Sequence, residues 1–169
     1  MVTWGIIVLI MLSLVGSMMW AMPSPREKAQ AALRSKARTL GLQVQLVRLA
    51  APRATGEADA DEYDRAAYRK LRSGLSAAQR DRLIPWQVFR IRSLACDGLP
   101  EGWSWKQGEG ILAQAQLNVL ADALRALPQD VLALESTPLY VTAYWSERGG
   151  IDELDKIQLM LQRVIDAGF

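Results

Sequence analysis

Histidine is absent from all 169 residues, and Cys96 is the only cysteine. The first absence removes Ser–His–Asp and Cys–His catalysis, HExxH zinc sites and histidine acid–base chemistry. The second removes CxxC zinc ribbons, cysteine-held iron–sulfur clusters and any intramolecular disulfide. A Walker A sequence and a GxGxxG following a strand are also missing, so nucleotide-dependent chemistry finds no motif. What is left is unspecific. Cys96 has no histidine to activate it and reads as a bystander thiol. The pairs Ser104 with Lys106 and Glu101 with Glu109 are spacings that arise by chance. The acidic stretch with Glu57, Asp59, Asp61 and Glu62 lacks the central glycine and terminal glutamate offsets of an EF-hand loop. These absences predict a protein that is not an enzyme and holds no metal or cofactor.

Charge is the next thing missing, but only locally. Residues 1–22 contain no ionisable side chain, and Val2 to Met22, "VTWGIIVLIMLSLVGSMMWAM", runs without a charge or a proline. As a helix these 21 residues span about 30 Å, the thickness of a bilayer's hydrocarbon core. Trp4 and Trp20 stand near its ends as interface anchors. A cleavable signal peptide would carry a basic n-region and small residues before the cut, whereas Met19 occupies such a position ahead of Ala21. The expectation is a permanent transmembrane helix over 1–22, with Ser13, Gly16 and Ser17 forming a small-residue face where a second membrane helix could pack.

The segment 23–53 then carries seven basic residues against the single acid Glu27; subtracting its net +6 from the chain's +2 leaves residues 54–169 at −4. A nucleic-acid binder more often spreads its basic residues over a folded face, so nucleic acid is not the expected partner. Basic residues after the run and none before it predict a periplasmic N-terminus and a cytoplasmic domain in a bacterial inner membrane. "SPRE" reads as a capping box, with Ser24 as N-cap, Pro25 at N1 and Glu27 at N3. It opens a basic juxtamembrane helix within 23–41, ended by Gly41. Arg26, Lys28, Arg34, Lys36 and Arg38 on that helix would meet anionic lipid or an acidic partner.

Residues 42–169 read as an α+β domain. "LQVQLVRL" alternates at period two and predicts a strand; a flexible excursion follows over about 51–62. Asp61 to Leu71 predicts a short helix, and Ser76 to Leu83 a capped turn. "PWQVFRIRSL" predicts a strand with Phe89 and Ile91 facing the core and Arg90 and Arg92 on the solvent side. The glycine-rich stretch 96–110 predicts a loop in which Trp103 and Trp105 either form a platform for a partner or ligand or cover the core. A helix ending at Pro128, strands at 130–135 and 138–145, and a C-terminal amphipathic helix complete the chain. The sum is a sheet of roughly four strands with helices on one face.

The single apolar run followed by "PSPREKAQAALRSKAR" resembles YajC, the small accessory subunit of the bacterial preprotein translocase. The resemblance is one of topology and covers about the first 40 residues, not the stretch from "LPEGWSWKQGEG" to "STPLYVTAYWSERGG". It implies an accessory role in translocation or assembly. The sequence therefore predicts a non-catalytic, single-pass inner-membrane protein that serves as an accessory or scaffold subunit alongside another membrane protein. The alternative is a membrane-tethered module that binds a small molecule or peptide through Trp103 and Trp105.

Overall fold

A computed structural model describes residues 2–20, 24–56 and 61–168, with the side chains of Val2 and 17–20 outside that description. The chain divides into two compact units between Ala32 and Leu33.

The first unit holds helix α1 (Val2–Trp20) and the start of α2 (Pro25–Thr39). The capping box forms as written: the Glu27 carboxylate accepts from the Ser24 N–H at 2.6 Å, and Ser24 Oγ accepts from the Glu27 N–H at 3.2 Å. Those two bonds hold the Glu27 carboxyl below its usual pKa. The transmembrane expectation is corrected. Among the described residues no helix is long and apolar enough to cross a membrane. Met22, the last residue of the run, lies outside the described residues. The single-pass inner-membrane localisation and its topology fall with the span.

The second unit is built on a six-stranded antiparallel sheet, where about four strands were expected. Its strands are β1 (Leu42–Ala50), β2 (Glu62–Leu71), β3 (Trp86–Phe89), β4 (Ser104–Gln107), β5 (Val131–Ser136) and β6 (Tyr140–Trp145), in the order β1-β2-β6-β5-β3-β4. Three helices accompany them: α3 (Ala77–Arg80), α4 (Gln114–Ala126) and α5 (Ile151–Asp166). One sheet face carries the main core. Ala66 and Tyr68 of β2, Val88 of β3, Leu134 of β5 and Ala143 and Trp145 of β6 pack there against Leu120 and Leu124 of α4 and Leu154, Ile157 and Leu161 of α5. The 3–4 spacing of these leucines and isoleucines is what gives each helix one apolar stripe. Leu33 and Ala37 bring the second half of α2 into the same core.

Two expected elements are different. Glu62–Leu71 forms β2, where a helix was expected over Asp61 to Leu71. Ala, Arg, Lys and Leu favour helix locally, but both edges of this segment are hydrogen-bonded, to β1 over Glu62–Lys70 and to β6 over Ala66–Leu71, and that pairing overrides local propensity. The expected loop at 96–110 contains β4, whose side chains Ser104 and Trp105 are buried. Gly108 follows it at φ 92°, and a Cβ there would lie 2.6 Å from Cβ of Trp86, so only glycine lets the chain leave β4 this close to the core.

The inward and outward faces of β3 are also exchanged. Trp86 and Val88 sit in the main core, and Phe89 belongs to a smaller cluster on the opposite face, with Leu49, Ala67, Ala133 and Tyr144. Arg90 is not on a solvated face. Its Nε donates to the carbonyl of Val131, the first residue of β5, at 3.0 Å and its Nη2 to the Pro128 carbonyl just past the end of α4 at 2.9 Å. Its guanidinium lies 4.7 Å from the centre of the Trp103 ring, and burial lowers its pKa. Arg92 is exposed and pairs with Glu101 at 3.0 Å.

Candidate partner-binding face

The sheet face turned away from α4 and α5 is only partly covered. Along β2 it presents Tyr63, Arg65, Ala67 and Arg69; β6 adds Tyr140, Thr142 and Tyr144, and β5 adds Glu135, because directly paired antiparallel residues share a face. Arg65 and Arg69 are four residues apart on one strand, hence about 13 Å. The Arg69 guanidinium lies 3.9 Å from the centre of the Tyr140 ring, and that of Arg65 lies 5.1 Å from the centre of Tyr63. Both guanidiniums lie within cation–π distance of an aromatic ring.

Neither arginine forms an ion pair among the described residues. Among the described residues the ion pairs are Arg34–Glu147, Arg48–Glu62, Arg92–Glu101 and Arg125–Asp122. Arg65 donates from Nη1 to the Asp64 carbonyl at 2.8 Å. Arg69 donates no hydrogen bond among the described residues, and its Nε is buried without a partner, as are Arg65 Nε and Thr142 Oγ1 directly across the strand pair. A buried donor left unmade costs about 1–3 kcal/mol.

The neighbouring carboxylate is occupied elsewhere: Glu135 accepts from the Tyr144 hydroxyl. Burial, then the bond to Glu135, pushes the Tyr144 phenol well above its ordinary value, with Arg69 opposing. Tyr68 is raised in the same way by burial and by its 2.8 Å bond to Glu147. The folded state thus holds both phenolic protons more tightly than the unfolded chain. Their contribution is complete below about pH 10 and is lost as the pH rises through and beyond that value. Thermal melts should show Tm falling steeply above about pH 10, and less steeply in Tyr144→Phe. A Tm that ignores pH up to about 11 would contradict this.

The candidates from the sequence are scattered. Trp103 and Trp105 are 4% and 3% exposed and sit in the main core. Trp105 stacks edge-on against Trp86 at 6.3 Å between centroids and donates from Nε1 to the Asp97 carbonyl at 2.9 Å, so the two rings offer no exposed platform. Arg34 is turned inward: its Nε and Nη2 grip both oxygens of Glu147 at 2.7 and 2.6 Å. Arg26, Lys28, Lys36 and Arg38 are exposed, as are Trp4, Ser13 and Gly16 on α1, while the side chains of Ser17 and Trp20 lie outside the described residues. Ser104 Oγ is held between the Ile91 carbonyl and the Ser93 N–H, and Lys106 reaches the Ala50 carbonyl. Glu101 faces Arg92, whereas Glu109 accepts from the Asp97 N–H. Cys96 is exposed. Glu57 and Asp59 lie outside the described residues, and among those described no three His, Cys, Asp or Glu side chains gather as a metal ion requires.

Arg65, Arg69 and Tyr140 were missed because 61–71 was read as a helix. The signal was present as the period-two series Tyr63, Arg65, Ala67, Arg69.

The class of protein defined by this fold is an antiparallel α+β domain with one covered and one arginine–tyrosine face. Comparisons with protein-family models, curated proteins and solved structures return no match, so no relative bears on the resemblance to YajC.

Proposed function

We propose that this chain is a non-catalytic accessory protein that holds an acidic segment of a protein partner on the Arg65–Arg69 face. The observation that carries the reading is Arg69: half-buried, with its guanidinium 3.9 Å from the centre of the Tyr140 ring and without an ion pair among the described residues. A carboxylate is the partner a guanidinium edge recognises best in a protein, since two parallel N–H groups meet its two oxygens. The non-catalytic part is supported by the missing histidine and by the engagement of Ser104 Oγ in structural bonds.

The test is recovery of partners by the full-length chain, compared with Arg65→Glu/Arg69→Glu. Both positions are only half-buried, so the double variant should keep its circular dichroism spectrum while losing about tenfold or more of a partner bound by the wild type. Recovery should also weaken with added salt. Equal recovery by the variant would overturn the reading, and loss of the bound material on nuclease treatment would place a nucleic acid there instead.

A further inference from the structure

The two edges of the sheet differ in how they are protected. β4 is four residues long, its pairing with β3 is interrupted by a register shift, and Lys106 stands on it. Shortness, a bulge and a lysine are the usual means of keeping an edge from pairing with another strand. β1 has none of them. It is nine residues long, without proline or lysine, and its register with β2 runs unbroken from Leu42↔Lys70 to Ala50↔Glu62.

The direction of its free groups can be worked out. The Ala51 N–H bonds to the Asp61 carbonyl at 2.9 Å, one step beyond the Ala50↔Glu62 pair. In an antiparallel ladder the bonded pairs alternate, so Leu49, Val47, Gln45 and Gln43 turn their N–H and C=O toward β2. Leu42, Val44, Leu46, Arg48 and Ala50 turn theirs outward. The Ala50 carbonyl already accepts from Lys106 Nζ, which leaves Leu42, Val44, Leu46 and Arg48 as the outward set.

We propose that β1 pairs antiparallel with β1 of a second copy of this chain, about a two-fold axis at Gln45. That axis sets Val44 against Leu46 of the other copy and Leu42 against its Arg48, so all four outward residues find a partner and about eight backbone hydrogen bonds form. The side chains match as well. Leu46 is 66% exposed in the single chain and comes to lie beside Val44 of the other copy, which removes the largest apolar side chain exposed on this edge from water. On the other face Gln45 meets Gln45, two amides that can bond to each other. The one charge on the strand, Arg48, is neutralised by Glu62 at 2.6 Å and lies about 20 Å from its symmetry mate, six strand positions away, so no like charges oppose. An isologous contact requires this self-complementarity. It is independent of the arginine face, although the joined sheet would place two such faces side by side.

The axis makes a position-specific prediction. Gln45 opposes itself at a non-hydrogen-bonded site, where Cα atoms are about 4.5 Å apart, within the range a disulfide spans. In a full-length Cys96→Ser background, mild oxidation should convert most of the Gln45→Cys variant to covalent dimer. Gln43→Cys, which faces Val47 of the other copy, should stay mostly monomeric. Adding Leu46→Lys to Gln45→Cys should cut the dimer yield about tenfold, because charged edge residues block strand pairing; Leu46 is exposed, so the fold should be retained, as circular dichroism would check. Association through the exposed apolar α1 would not distinguish position 43 from position 45. Equal cross-linking at both positions, no cross-linking at 45, or a yield indifferent to Leu46→Lys would each overturn the proposal.

Discussion

Replacing Arg34 by methionine should lower folding stability by about 3–5 kcal/mol, measured by urea denaturation. The loss comes from what remains behind. Glu147 is only 7% exposed, and without Arg34 its carboxylate keeps, among the described residues, a single side-chain donor, the Tyr68 hydroxyl. A buried charge whose counterion is removed is penalised far more than the intact pair was worth, because the pair had already offset most of its own desolvation. The double variant Arg34→Met/Glu147→Gln should therefore be more stable than Arg34→Met alone, since the amide carries no charge to desolvate. If the single variant melts like the wild type, the interaction is no more than a surface ion pair, which is worth about 0–1 kcal/mol. Glu147 also adopts φ 54°, a left-handed conformation costing about 1 kcal/mol or more in a residue with a Cβ. The bonds from Arg34 and Tyr68 hold it there, and so fix the turn between β6 and α5.

The second large effect is expected at Trp105. Trp105→Ala should destabilise the protein by about 3–5 kcal/mol, the range for removing a buried tryptophan, read as a lower urea midpoint. Its indole fills the space beside Trp86 and satisfies the Asp97 carbonyl, so truncation leaves both a cavity and an unpaired acceptor. A tryptophan serving as an exposed binding platform would give the opposite pattern, with stability changed by no more than about 0.5 kcal/mol and ligand binding lost. A wild-type melting curve for Trp105→Ala would contradict the packing described above.

How far the chain could be read depended on whether a signal was local. The Ser24–Glu27 capping box, the apolar stripes of α4 and α5 and the alternation of β1 each lie within a few consecutive residues, and periodicity reports them directly. β2 shows the opposite case. "EYDRAAYRKL" fits a helix by propensity, and nothing within it announces that β1 and β6 occupy both of its edges. Reading it as a helix hid the arginine–tyrosine face altogether, because Arg65 and Arg69 lie on one side in either geometry but Tyr140 arrives only through sheet pairing. The faces of β3 were exchanged for a related reason. Both sides of that strand are buried, one by helices and one by the Leu49–Ala67–Phe89 cluster, so alternation could not say which was which. The transmembrane expectation is overturned because, among the described residues, no helix is long and apolar enough to cross a membrane.

The sequence by itself determined which chemistries are closed, through the missing histidine and the single cysteine, and which segments carry a helical or strand period. Those are properties of composition and of neighbours along the chain. Only the tertiary structure decided that Arg34 is the counterion of a buried carboxylate, that the two tryptophans are core, and that Arg65 and Arg69 lie beside tyrosines without an ion pair among the described residues. Each of these depends on residues far apart in sequence, Arg34 with Glu147, Trp86 with Trp105, Arg69 with Tyr140. Burial and pairing at such distances are set by how strands are ordered in the sheet, which no local pattern encodes.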